Sequence, residues 1–545
     1  MRRKERKISV TQNFYKKLKN VKPKTWLIFI LIFGLFLRLI FFMGFVNADA
    51  QDEGIYINYI HHILKGDFGF SSYRNLPSDY LADPSESFRF RSMLLYPVTL
   101  TFLILGVNDF TAVLYIMFTS LGSIIVIFYL GKLVFDERVG LMAAFLLSFF
   151  PLNVLFATRI MPDVPLAFFM SLTVYFFLRG ETSKKKNRIL KINENRFYYL
   201  LSGLALGLGY LVKPLAFALL PFLFMYMIYK RKFKPEYIFI LLGFLMILIP
   251  EGVYYYNQSG NFLLNFIIAR SQYLNKYAFE HPRSIDIVPK ILRLWYVDGE
   301  PIYHSKVLLG LFHHRLNVNY FGYFYYFVII SILYLLIKKV KKSYFLILWL
   351  FLLFLYLEFG PVGIRTDDEA MINYLFIFKN ARFATILTIP SLLILSYFIS
   401  SVPKKVSIII ISILLISSIY YINKSRTFFV VGIQSIRDVS SFLKSQPKKT
   451  IYTDYLAEGM LQYYFGFERD QYIKNIDYQN LGEIEDAFIV DGGSRGSDVC
   501  STVVEDFHKK LLKNLPENWQ IIKLIPNPIK IIYPEALDVT VYYAP

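Results

Sequence analysis

Long apolar runs separated by short basic clusters set the pattern of this chain. The first run, TWLIFILIFGLFLRLIFFMGFV at 25–46, gives way at once to the polar stretch NADAQDEGIY at 47–56. A helix rises 1.5 Å per residue, so about 20 mostly apolar residues cross the roughly 30 Å of bilayer hydrocarbon. By that measure eleven spans are predicted, at about 25–46, 110–131, 139–157, 162–179, 198–213, 215–229, 236–256, 320–337, 344–359, 383–400 and 406–422. The triplet ADA at 48–50 resembles a signal-peptide cleavage site, but the run before it exceeds the usual core of roughly 7–15 residues, so the first span is expected to be retained. Between 198 and 229 the pair Lys213-Pro214 interrupts the apolar run, and basic residues flank both ends, which predicts a hairpin turning at that pair. The apolar piece within 84–105 is short and contains Pro97, and is read as a re-entrant or interfacial helix. From about 423 the pattern changes. TIYTDYLAEGMLQYYFG reads as strand then helix, DAFIVDGG as a buried strand and turn, and QIIKLIPNPIKIIYP and LDVTVYYA as strands, together a small α/β domain over 423–545.

Composition sharpens this picture. With 55% hydrophobic, 18% aromatic and 18% charged residues over 545 positions, and a mean hydropathy of +0.43, the chain is too apolar for a water-soluble globule. A net charge of +20 raises the question of nucleic acid, but Lys and Arg fall in short clusters between apolar runs and form no continuous basic face, so no nucleic-acid partner is expected. The clusters are topology signals instead. Ten basic residues precede the first span, and others lie at 179–196, 230–234, 338–342 and 403–405. The positive-inside rule puts them all on the cytoplasmic face of the plasma membrane, with the amino terminus. Loops 47–109, 257–319 and 360–382 and everything after Ile422 then lie outside. One cysteine, Cys500, excludes an intrachain disulfide and a multi-cysteine metal site. DGGSRG at 491–496 is Gly-rich without phosphate-loop spacing and reads as a turn.

With that topology, ionisable residues collect at the outer membrane boundary: Asp52-Glu53 after the first span, Asp163 in TRIMPDVP, Lys213 at the hairpin turn, and Arg382 in KNARFATILTIP. Each alone has an ordinary explanation as a solvated loop end, a helix N-terminal charge or a snorkelling cation. As a set on one face they point to a site, because charge at membrane depth is costly. The external histidines His281, His304, His313 and His314 show no metal-ligand spacing, and the acidic stretch RTDDEAMINY at 365–374 carries no assignment.

The segments LFLRLIFF, DEGIYINYIHHILKGD, the stretch from YPVTLTFLILG to FPLNVLFATRIMPDVPLAFFMSLTVYFFL, GLALGLGYLVKPLAFALLP and ARFATILTIP together resemble the GT-C membrane glycosyltransferases. Within these the likeness is to the branch of protein O-mannosyltransferases and the lipid A aminoarabinose transferase. It covers roughly 30–230 and the Arg382 segment; the loop at 257–319 and the tail are only generically similar. The resemblance implies a polytopic α-helical GT-C fold of about eleven transmembrane helices over 1–422, with an extracytoplasmic α/β domain over 423–545. It also implies transfer of a sugar from a polyprenyl-phosphate-linked donor to a glycolipid, polysaccharide or protein hydroxyl. The family's catalytic carboxylate lies in an Asp-Glu pair followed by a tyrosine, matched by Asp52, Glu53 and Tyr56 and not by Asp49. Asp163 matches its second acidic position, orienting acceptor or metal. Lys213 and Arg382 are the candidate donor-phosphate cations, and Arg91 in RFRSMLLYP is an approximate match for a third. A divalent cation stays open, since related enzymes differ.

Chemistry makes sense of those parts. An acceptor hydroxyl needs a carboxylate to take its proton as it attacks the anomeric carbon, and Asp52 is assigned that role. Attack opposite the leaving phosphate inverts the centre. The phosphate leaves as a stable anion and needs no general acid, but nearby cations stabilise its developing charge. Two other readings share the hydropathy. A lipid-linked sugar transporter or flippase is disfavoured by the odd span number and the absence of a visible repeat between halves. A surface-polysaccharide ligase or polymerase does not require an Asp-Glu pair after the first span.

Overall fold

The computed structural model describes residues 22–45, 52–66, 91–183, 194–231, 233–264, 321–359, 361–366, 372–376, 381–468, 472–477, 480–492, 502–531 and 537–545. Helices occur at every predicted span, and also at 52–64 within the predicted loop 47–109 and at 92–105, the piece read as re-entrant or interfacial. They are α1 (Pro23–Ile40), α2 (Asp52–Leu64), α3 (Ser92–Leu105), α4 (Asp109–Val134), α5 (Glu137–Ser148), α6 (Pro151–Phe156), α7 (Asp163–Thr182), α8 (Glu194–Val212), α9 (Leu219–Lys230), α10 (Ile238–Ser259), α11 (Phe324–Ile337), α12 (Tyr344–Phe359), α13 (Thr388–Ser401) and α14 (Lys404–Lys444). Among the described residues six helical segments are both long and apolar enough to cross a bilayer by themselves, those of α1, α4, α7, α10, α13 and α14. α7 and α13 are buried over most of their length, whereas α1 and α10 expose Ile28, Phe29, Ile32, Leu241, Met246 and Ile249.

The predicted span 139–157 is broken into α5 and α6. Pro151 starts the second helix, its fixed φ suiting the first helical position. The break leaves a carbonyl unbonded within the bundle, and Arg38 of α1 fills that need. Its Nη1 donates to the Ser148 carbonyl at 3.1 Å and to that of Gly34 at 2.7 Å, its Nε donates to Ser120 Oγ at 2.8 Å, and its Nη2 to Asn153 Oδ1. A fully buried guanidinium so paired ties α1, α4, α5 and α6 together.

The chain does turn at Lys213-Pro214. α8 stops at Val212, a 3₁₀ turn covers Pro214–Ala218, and α9 returns. Both far ends meet the C-terminal end of α7: Tyr199 of α8 donates to Glu181, and Tyr226 of α9 packs edge-on against Phe177. Glu181 also accepts from Lys234 at 2.9 Å and from Tyr237 at 2.9 Å. α8 packs on α10 as closely as backbones allow. A Cβ on Gly203 would collide with the Ile240 carbonyl oxygen, and one on Gly243 with that of Leu200, while Gly207 faces Ile247. Small residues at four-residue spacing permit such approach in a bilayer, where packing and not hydrophobic exclusion joins helices. Gly203→Ala is expected to cost at least about 1–3 kcal/mol by overpacking; an unchanged thermal midpoint in detergent would show the interface to be looser than this.

α14 decides where the tail sits. Its 41 residues reach about 60 Å, twice the hydrocarbon thickness, so it runs unbroken through position 422 and stands out of the membrane. β3 (Thr450–Thr453), β4 (Ile473–Asn475), β5 (Ala487–Asp491), β6 (Gln520–Ile525) and β7 (Val539–Ala544) form a sheet of order β4-β3-β5-β7-β6, in which β3 is parallel to β4 and β5, and β7 is antiparallel to β5 and β6. β5 is buried along its whole length, matching its unbroken apolar run. α15 (Tyr455–Tyr464) joins β3 to β4 and packs against α2 and α14, and α16 (Thr502–Lys513) follows β5.

A polar clamp fastens this tail to the bundle. Asp109, at the start of α4, accepts from Arg437 at 3.1 Å and Tyr463 at 2.9 Å. Arg437 also donates to the Met43 carbonyl and to Tyr464, and Tyr464 to the Phe45 carbonyl. Burial, with the Asp109 carboxylate second, pushes the Tyr463 phenol well above its ordinary value, so it stays a donor. Beside the clamp, His61 of α2 stacks on Phe467 with ring centres 4.2 Å apart.

β1 (Pro361–Thr366) and β2 (Ile372–Phe376) pair antiparallel within the stretch predicted as the 360–382 loop. The predicted features at Asp49, His281, His304, His313, His314, Cys500 and most of 257–319 and DGGSRG lie outside the described residues.

Candidate active site

The chain direction of α7 and α8 creates the site. α7 begins at Asp163, directly after Pro162, where the helix dipole favours a carboxylate. Lys213 precedes a proline and is therefore held out of the helical region, at φ −165° and ψ 131°. Because α7 and α8 run oppositely, the two residues meet, and Lys213 Nζ donates to Asp163 Oδ1 at 3.1 Å. Arg382 arrives from a 3₁₀ turn at Ala381–Leu387 that packs on α7. Its Nε lies 3.9 Å from Asp163 Oδ2, and its Nη1 is 3.2 Å from Met161 Sδ. Phe383 lies under both cations, with Lys213 Nζ 3.8 Å and Arg382 Cζ 5.6 Å from its ring centre.

Arg91 completes the group from the other side. It caps α3 and sits 5.1 Å from the Tyr56 ring centre, and its charge and that of Arg382 both act on Lys213. Asp163, Lys213, Arg382 and Arg91 are all buried. Lys213 and Arg382 thus converge on the Asp163 carboxylate, and Arg91 is near enough for its charge to act on Lys213, an arrangement suited to a further anion.

The Asp52-Glu53 pair divides into two positions. Asp52 is the first residue of α2, and its side chain lies outside the described atoms; its position shares a helical face with Tyr56, one turn on, which underlies Arg91. Glu53 is buried. Its Oε1 accepts from the Ile160 backbone N–H at 3.0 Å and from Arg159 Nε at 3.3 Å. Arg159 in turn lies 4.5 Å from the Phe429 ring centre on α14 and 5.5 Å from that of Phe156 on α6. The segment Arg159–Asp163 therefore ties α2, α7 and the Arg382 turn to one another.

The structure brings Asp163, Lys213, Arg382 and Arg91 together, and ties Glu53 to the segment that leads into Asp163. Sequence reasoning passed over Arg159 and Asp109. The available signal for Arg159 was an arginine four residues before Asp163 in an otherwise apolar segment; Asp109 looked like an ordinary helix-start acid. Among the described residues no three His, Cys, Asp or Glu side chains gather as a metal site.

The site and the sheet share one end of the bundle. α1 enters the Asp109 clamp at its C-terminal end, α13 starts beside Arg382, and Phe321 and Phe324 at the start of α11 pack on Phe150, next to α6. The basic clusters after α7, α11 and α13 consequently fall at the opposite end.

Residues 92–254 match the family model for dolichyl-phosphate-mannose-protein mannosyltransferases. No curated protein matches the chain by sequence. Among solved structures, ArnT from Cupriavidus metallidurans in the apo state aligns with a TM-score of 0.56 at 13% identity, over 95% of this chain and 98% of that one. The same protein bound to undecaprenyl phosphate gives 0.55 at 12% identity, over 95% and 98%. The oligosaccharyltransferase AglB from Archaeoglobus fulgidus, in complex with an inhibitory peptide and a dolichol-phosphate, gives 0.50 at 11% identity, over 92% and 69%. The GT-C fold expected from the sequence is the fold found, that of a multi-spanning membrane protein with a small C-terminal sheet.

Proposed function

We propose that the protein moves a sugar from a polyprenyl-phosphate-linked donor to a hydroxyl acceptor by inverting displacement, at the extracytoplasmic face of the plasma membrane. The observation that carries this reading is the buried convergence of Arg91, Lys213 and Arg382 at the end of the bundle opposite the basic clusters. Such a group would hold the phosphate and stabilise the charge that develops as the anomeric C–O bond breaks. ArnT bound to undecaprenyl phosphate and AglB with a dolichol-phosphate support a lipid-phosphate donor for this shared fold.

Asp52, at the start of α2, takes the acceptor proton. Glu53 holds α2, which begins at Asp52, against the Arg159 segment that leads into Asp163. The bundle over 1–422 carries the chemistry, and the α/β domain from 423 on covers α2 from outside, through α15. Glycolipid, polysaccharide and protein hydroxyls all fit as acceptors. A divalent cation has no assigned ligands.

Mass spectrometry of lipids and glycans from a deletion strain tests the reading. Accumulation of one polyprenyl-phosphate sugar, with loss of that sugar from a surface glycan or protein, is expected. Lys213→Ala is expected to weaken donor binding and slow turnover together, by roughly 10²–10³-fold in kcat/KM if the ammonium contributes as single charge-stabilising donors do. An unaltered glycan profile in the deletion strain, or full complementation by Lys213→Ala, would return weight to a lipid-linked sugar transporter.

A further inference from the structure

Resting on the proposed reaction, we propose that Asp163 is a resident counter-anion that competes with the phosphate for Lys213 and so governs release of the polyprenyl phosphate product. The reaction changes the charge that the cations face. As the acceptor oxygen bonds to the anomeric carbon, the bond from that carbon to the phosphate oxygen breaks with its electron pair, and the acceptor proton passes to the Asp52 carboxylate. The donor is a diester with one negative charge. The product is a monoester with about 1.5–2 at pH 7. A site that only attracted phosphate would therefore hold product more tightly than donor.

Asp163 is placed to prevent this. It is buried and bonded to Lys213 at 3.1 Å through one oxygen, while the other, 3.9 Å from Arg382 Nε, accepts no hydrogen bond from the described residues. Its position at the start of the 20-residue helix α7 keeps its charge favourable when Lys213 turns to a phosphate. When product is to leave, the carboxylate is already in place to take the ammonium back.

Binding of a short-chain polyprenyl phosphate and of its methyl ester, measured with purified wild type, Asp163→Asn, Asp163→Ala and Asp163→Glu, tests this. In both neutral variants the monoester is expected to bind on the order of tenfold tighter or more, as for close charge pairs, with a smaller gain for the singly charged ester. Steady-state kcat should fall through tighter product inhibition by more than the single-turnover rate falls, and Asp163→Glu should keep wild-type affinity. Unchanged or weaker monoester binding in both neutral variants, or equal loss of single-turnover and steady-state rates, would overturn the inference. If the wild type binds neither ester, the proposed function fails first and the inference with it.

Discussion

Asp52→Asn is expected to lower turnover by about 10²–10⁴-fold, the range that a positioned general base contributes, while leaving donor affinity near its wild-type value. The amide keeps size and hydrogen-bonding capacity but cannot take the acceptor proton. Position 52 starts α2, and Glu53, Tyr56 and His61 make contacts that hold that helix. The variant should therefore fold and bind. Single-turnover transfer by purified protein, with donor binding measured in parallel, reads both quantities. Full turnover by Asp52→Asn would remove the base assignment, and joint loss of binding and turnover would place Asp52 with the phosphate cations instead.

The second large effect is on stability. Glu53→Gln leaves the Arg159 guanidinium in a buried site without the carboxylate that faces it at 3.3 Å, and both side chains are fully buried. Breaking such a pair by removing one partner typically costs about 3–5 kcal/mol, whereas replacing both partners with apolar groups of similar volume is often neutral. The double variant Glu53→Leu with Arg159→Met is accordingly expected to recover most of the thermal midpoint lost by Glu53→Gln. Activity should not return with it, because the Glu53 link to the Ile160 backbone that sets the start of α2 is also gone. A Glu53→Gln protein that melts like wild type would show that the pair contributes nothing to holding α2.

This difference between neighbouring carboxylates was beyond the sequence. Asp52 and Glu53 read as one pair, and only the approach of the Arg159–Asp163 segment, more than a hundred positions away, separates a positioning carboxylate from a candidate base. The clamp between Asp109 and Arg437 is similar, since residues 328 positions apart leave no local pattern. Arg38 was visible as a charge inside an apolar run, but its acceptors exist only because α5 and α6 break between Ser148 and Pro151.

What the sequence determined by itself is what local physics controls. Apolar length placed a helix at each expected span, Lys213-Pro214 set the turn, and the unbroken apolar run AFIV marked a strand buried on both faces. It also nominated Asp163, Lys213 and Arg382, because charge in an apolar context stands out, and Arg91 through the family resemblance. Tertiary structure alone decided that these four share one buried cluster, that Glu53 faces Arg159, and that α14 continues beyond the bilayer to seat α15 on α2. Hydropathy reports transfer of a segment between water and lipid. Which side chains then meet depends on helix direction and rotation, and those are fixed by close packing such as that of Gly203 against Ile240.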